Sequence, residues 1–369
     1  MTKWYDRFLR TGMIVAAALM LVAVSAPMET RSGSVFAQEA GQVPGNTLGG
    51  APTSDFWRAI RQGDQGNVSI PDKRAGVLIQ SEGDNWRAIR NGPLSTYGVW
   101  VLAGMVGLLA LFFLLRGRIR IEAGPSSERV TRFGGAERFG HWLTAVSFII
   151  LGVSGLNMLY GRYFMKDILG PEIFSQVIYY GKLFHNYVAF AFMVGLVLIL
   201  VLWIKDNLPS RTDFVWLLKG GGLLSKHTHP PARKFNAGQK LIFWLVILGG
   251  LSLSLSGLAL MFPFELPMFA KTFEIMNMAG FERLAGFALP TALTPIQEVQ
   301  LSQLWHSAVA LVLIAIIIAH IYIGTVGMEG AFDAMGSGEV DANWAREHHS
   351  LWYEKIRARQ NEVGQQPAE

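Results

Sequence analysis

Four of the chain's eight histidines, His141, His185, His306 and His320, sit in stretches free of Asp, Glu, Lys and Arg. An imidazole is costly in hydrocarbon, where it normally faces a bundle interior, an ion path or a cofactor. Leu301–Met328, 28 residues without a formal charge, holds two of them. Fourteen positions separate His306 from His320, which on a helix leaves them about 40° apart around the axis and roughly 21 Å apart along it. One helix would therefore offer an imidazole near each membrane surface, on one face. Such residues can relay protons or ions, pack as structural hydrogen-bonding groups, or pair as axial ligands of a b-type haem. Two imidazoles saturate that iron, so it would carry electrons and not activate oxygen.

The elements that must position these groups are hydrophobic spans. Half of the 369 residues are hydrophobic (51%) and only 16% are charged, which points to a polytopic membrane protein rather than a soluble domain. There is no cysteine, which excludes disulfides, iron–sulfur ligation by this chain, thiolate zinc sites and covalent c-type haem. Uncharged runs at Tyr97–Leu115, His141–Tyr160, Leu183–Ile204, Leu241–Phe264 and Leu301–Met328 are long enough to cross a bilayer. Ahead of them, Lys3, Arg7 and Arg10 precede an uncharged run from Thr11 to Met28, and Val35-Phe36-Ala37 resembles a small-residue cleavage site before Gln38. Residues 1–37 thus read as a signal peptide, cleaved or retained as an anchor.

Residues 38–96 read as a polar, Gly-rich exported segment. It contains an echo, Asp55-Phe-Trp-Arg-Ala-Ile-Arg-Gln-Gly63 against Asp84-Asn-Trp-Arg-Ala-Ile-Arg-Asn-Gly92. Each copy is expected to be a short helix capped by Asp and ended by Gly. Residues 331–369 form a C-terminal tail.

Loop charge orients the spans. Arg116, Arg118, Arg120, Arg129, Arg132 and Arg138 lie in one connection, and seven Lys or Arg lie between 205 and 240, whereas 265–300 holds only Lys271 and Arg283. Lys and Arg concentrate in cytoplasmic loops. The basic connections and the tail are therefore expected in the cytoplasm, with the N-terminal segment outside. The high isoelectric point reflects this topology and not nucleic-acid binding. His185 and His306 then share the outer level, and His141 and His320 the inner one. Gly155 follows His141 by fourteen residues, on the same face at the level of the outer pair, where a missing side chain would let a porphyrin approach or simply let helices pack.

Other motifs carry less. Gly220-Gly221-Gly222 lacks the following Lys and the preceding strand of a phosphate loop. His227, His229, His348 and His349 lie in polar segments and read as solvated loop residues. No catalytic triad or paired carboxylate lies in a span, so no catalytic residue is assigned.

The segments Glu137-Arg-Phe-Gly-His141-Trp, Tyr180-Gly-Lys-Leu-Phe-His185, Lys234-Phe-Asn-Ala-Gly-Gln-Lys240, Leu304-Trp-His306, His320-Ile-Tyr322 and Trp344-Ala-Arg-Glu-His-His-Ser-Leu-Trp-Tyr353 together resemble the cytochrome b (gamma) subunit of membrane-bound respiratory formate dehydrogenase. The resemblance implies an all-α membrane protein, a four-helix di-haem cytochrome b core over 132–330. This chain adds an extra helix at 97–115 and the exported segment. It implies two haem b groups on His185/His306 and His141/His320. It also implies a quinone, ubiquinone or menaquinone, bound near Asn236, Gly238 and Gln239 beside His320. The implied partners are an iron–sulfur (beta) subunit and a molybdenum- or tungsten-containing catalytic (alpha) subunit, in the bacterial inner membrane. The cytochrome b subunit of a membrane-bound hydrogenase is the nearest alternative; a haem-free anchor or an ion-conducting protein is a second class.

Overall fold

The computed structural model describes residues 61, 66–67, 77–78, 83–222 and 228–364. The first copy of the echo, apart from Arg61, and the expected signal peptide lie outside these residues. Two-residue strands β1 (Gly66–Asn67) and β2 (Val77–Leu78) pair antiparallel. The rest is dominated by helices: α1 (Gly83–Ile89), α2 (Ser95–Arg116), α3 (Gly135–Tyr160), α4 (Met165–Trp203), α5 (Arg211–Leu218), α6 (Ala237–Met261), α7 (Phe269–Met278), α8 (Phe281–Ala285), α9 (Pro295–Tyr322), α10 (Asp333–Gly336), α11 (Ala342–His348) and α12 (Ser350–Gly364). Five helical stretches, those built on α2, α3, α4, α6 and α9, are long and apolar enough to span a membrane. This is a multi-pass, all-α membrane protein.

The helices outrun the charge-free windows because their ends are set by capping groups. At α9, Thr294 Oγ1 accepts from the Gln297 N–H and the Gln297 side chain accepts from the Thr294 N–H, with Pro295 opening the first turn. At α6, Asn236 and Gln239 exchange the same pair of bonds. Before α4 spans, Gly170 turns the chain at φ +77, ahead of Pro171; only glycine adopts that conformation without strain.

The second copy of the echo differs from expectation. α1 does not stop at Gly92 but continues through a π-helical turn, Arg90–Leu94, into α2. Pro93 lies inside this turn, where its missing N–H suits the loosened ladder. Asp84 lies within the first turn of the helix and not before it, and Ile89 is exposed.

α3 packs along α4 and α6 along α9, with α4 against α6, while α2 lies outside, against α9. Large apolar side chains point outward, Leu114 being 80% exposed, whereas Ser256 and Ser302 are fully buried. That is the polarity expected where lipid is the surrounding solvent and small hydroxyl residues line helix contacts. At Gly195 a Cβ would sit 2.5 Å from Thr144 Oγ1 and 3.0 Å from the Thr144 backbone nitrogen. α3 and α4 therefore cross nearly backbone to backbone.

One end of the bundle is closed by a small cap. Strands β3 (Arg129–Thr131) and β4 (Glu339–Asp341) pair antiparallel with Val130 opposite Val340, tying the lead-in to α3 to the tail. Asp341 caps α11 and accepts from the Ser126 N–H, while Glu347 accepts from the Glu122 and Ala123 N–H groups. A buried core of Phe133, Trp203, Phe235, Phe243, Val340 and Trp344 lies beneath.

Gly195→Leu should force α3 from α4, an overpacking cost of about 1–3 kcal/mol, and lower the melting temperature of the detergent-purified protein. A melting temperature equal to that of the parent would show that the crossing is not tight.

Candidate cofactor site

The four membrane histidines come from three helices: His141 from α3, His185 from α4, and His306 and His320 from α9. The structure brings them together two by two. The rings of His185 and His306 are centred 6.2 Å apart and inclined by 63°, and those of His141 and His320 are 6.2 Å apart at 60°. The two levels follow from helix direction, since α3 leaves the capped end at His141 and α9 returns to it at His320.

The spacing suits one metal ion per pair. A ring nitrogen lies about 1 Å from the ring centre, so facing nitrogens would stand about 4 Å apart, twice a metal–imidazole bond of ~2 Å. The donors are imidazoles alone, and among the described residues no cluster of three or more His, Cys, Asp or Glu offers a fuller coordination shell. Nδ1 of His141 is buried without a hydrogen-bond partner among those residues. Glycines flank the other pair: a Cβ at Gly155 would lie 3.5 Å from Cε1 of His185, and one at Gly257 would lie 3.5 Å from Cε1 of His306. Gly155 was expected at this level, whereas Gly257 was missed.

Two hydroxyls were missed as well. Ser154 Oγ lies 2.8 Å from His185 Nδ1, and Ser256 Oγ lies 2.9 Å from His306 Nδ1. The signal was present, because Ser-Gly-Leu occurs at both 154–156 and 256–258. α6 thus supplies no histidine to the site but does supply a hydroxyl and a glycine.

The chain belongs to the prokaryotic cytochrome b561 family. The family model matches residues 132–338, more than half of the chain. Among similar curated proteins is the formate dehydrogenase, cytochrome b556(fdo) subunit of Escherichia coli K12, 25% identical over 231 residues, covering 62% of this chain and 94% of that protein. The nitrate-inducible formate dehydrogenase cytochrome b556(Fdn) subunit of the same strain is 26% identical over 234 residues, covering 62% and 93%. A formate dehydrogenase cytochrome b556 subunit of Haemophilus influenzae is 24% identical, covering 61% and 82%. Family membership makes this a b-type cytochrome, and the imidazole donor set and the glycine-lined flank fit haem b.

On the capped side of this cytochrome, His141 stacks 6.4 Å from Trp203, which touches Phe133 and Phe235. Trp203 Nε1 donates to Glu137 Oε1, which also receives Lys234 Nζ at 2.6 Å. Next to Phe235, the Asn236 and Gln239 side-chain oxygens are committed to the α6 cap, and Gln239 Oε1 also accepts from Arg132 Nη2 at 3.3 Å. What these amides still offer is their NH2 donors. Gly238 lies against Trp216 of α5, where a Cβ would come within 3.0 Å of Cη2.

Arg132 is buried, packed against Phe133, Trp344 and Trp352. Burial lowers its pKa to about 9, with Glu137 opposing. It also touches His349 Nε2 at 2.9 Å, whose Nδ1 donates to the Arg233 carbonyl. His349 is thus 1% exposed and not solvated, because the helix breaks there and α12 folds back. His348, against His229 and Trp344, is half-buried. His229 itself meets the Glu122 carboxylate at 2.9 Å. His227 lies outside the described residues.

Burial pushes His348 down to about 4, reinforced by His229 and Arg132 and opposed by Glu122, and it holds His349 well below its usual range. Between ~6.5 and about 4 the unfolded tail binds protons that the docked tail does not, so docking is strongest above that range and weakens as pH falls through it. Proteolysis within α12 should accelerate between pH 7 and 5, and less so in His348→Gln; cleavage independent of pH would contradict this.

Proposed function

We propose that the chain is the membrane-anchoring cytochrome b subunit of a formate dehydrogenase, carrying two haem b groups. His185 and His306 hold the outer group and His141 and His320 the inner one. The observation that carries this reading is the equal 6.2 Å spacing of two histidine pairs at two levels of one bundle. Haem bound there would supply a one-electron couple, with these imidazoles as its protein donors.

Electrons enter from an exported iron–sulfur partner, pass inward over roughly 21 Å of α9, and reduce a quinone at Asn236, Gly238 and Gln239, which draws its protons from the cytoplasm. The free NH2 groups of Asn236 and Gln239 suit the carbonyl oxygens of a quinone, and Arg132 holds Gln239 in place. Moving one electron inward against ~100 mV costs about 2.3 kcal/mol, so the donor must lie lower in potential than the quinone. The basic loops support a cytoplasmic capped end, in a bacterial inner membrane. The similar proteins named above favour a formate dehydrogenase over a hydrogenase as the complex. Formate chemistry and its metal belong to a catalytic partner subunit.

Pyridine haemochrome assay of the purified chain should give two haems, falling to one in His185→Ala. A colourless chain, or unchanged reduced-minus-oxidised spectra in that variant, would overturn the assignment. Gln239→Leu should slow reoxidation of the haems by added quinone about tenfold, the size expected for losing one hydrogen bond at ~1.4 kcal/mol. Normal reoxidation would leave the segment with only its capping role.

A further inference from the structure

Ser154 and Ser256 stand in the same relation to two different helices. A serine hydroxyl has one proton. Ser154 Oγ donates it to the Ile150 carbonyl at 2.7 Å, and Ser256 Oγ donates to the Ser252 carbonyl at 2.8 Å, the one-turn-back bond that serine makes within membrane helices. Each oxygen is then left with lone pairs only, and it faces Nδ1 of a histidine on the neighbouring helix at 2.8 and 2.9 Å. With the hydroxyl proton on the carbonyl, the ring supplies the proton of that contact, and the Leu151 and Leu253 carbonyls beside it are also acceptors for the ring.

We propose that Ser154 and Ser256 are positioning residues that hold His185 and His306 in the Nδ1–H tautomer. Nε2 of both rings is thereby presented to a shared iron, and the outer haem is set at a lower reduction potential than the inner one. This rests on reading the outer pair as axial ligands. A ligand imidazole that donates its second N–H becomes more basic and favours the oxidised metal. The inner pair lacks this support on one side, since Nδ1 of His141 is buried without a partner among the described residues. The difference makes electron flow from the outer to the inner level downhill. Gly155 and Gly257, each the next residue, leave room beside the same ring, where a Cβ would lie 3.5 Å from its Cε1.

The test is redox potentiometry and electron paramagnetic resonance of the purified holoprotein carrying Ser154→Ala, Ser256→Ala or Ser154→Thr. Each alanine variant should raise the outer midpoint by a tenfold shift in the oxidised-to-reduced ratio, ~59 mV for one electron. The low-spin signal of that haem should move, and the inner haem should be unchanged. Threonine keeps the hydroxyl and should restore the parent midpoint and signal. Unchanged midpoints in both alanine variants, or a shift confined to the inner haem, would overturn the inference. Loss of haem from the threonine variant as well would also do so, by showing that the serines act through packing. Retention of two haems in His185→Ala would remove the premise and is read from a different protein, so the two failures are distinguishable.

Discussion

Everything in this molecule is arranged around the cost of placing imidazole nitrogens in a medium that cannot solvate them. Burial of such a ring costs least where its nitrogens find partners from other helices. For His185 and His306 one nitrogen lies within hydrogen-bond distance of a serine of the adjacent helix, and the two rings stand 6.2 Å apart across the bundle. The same demand explains the glycines beside them.

The two ends of the bundle solve different problems. At the end that carries His185 and His306, support for the rings comes from hydroxyls within the helices. The capped end is built from the loop before α3 and the tail, joined by the β3–β4 ladder and by carboxylates that accept backbone N–H groups. Within it a buried guanidinium rests on three aromatic faces and bonds to a carbonyl, an amide oxygen and a histidine nitrogen. Such a group tolerates burial only because almost every face of it is matched. Arg132 thus links the tail to the mouth of α6, so the order of that mouth depends on the tail being docked.

Much of this was legible beforehand. The spans follow from uncharged length, and the sorting of four histidines by depth follows from helical rise and loop charge. The serine partners were less visible. Ser154 and Ser256 read as ordinary small residues of membrane helices, and only the rotation of α3 toward α4 and of α6 toward α9 gives them a ring to meet. His348 and His349 were misjudged for a similar reason. They stand in a polar stretch and are covered by packing, His349 by Trp344, Trp352 and Arg132 and His348 by His229. The echo at 84–92 ran on into α2 because a π-turn accommodated Pro93 in place of a stop.

By itself the sequence determined that this is a multi-span membrane protein without thiolate chemistry, with two imidazoles spaced along one helix by nearly four turns. Those properties are local, set by hydrophobic length and by the fixed rise of the α-helix. The tertiary structure decided which hydroxyl meets which ring, which glycine lines which face, and which polar residues of the tail are sealed from water. Those contacts join residues 31, 50 and 217 positions apart, and they depend on the rotation and crossing of packed helices, which no short-range pattern encodes.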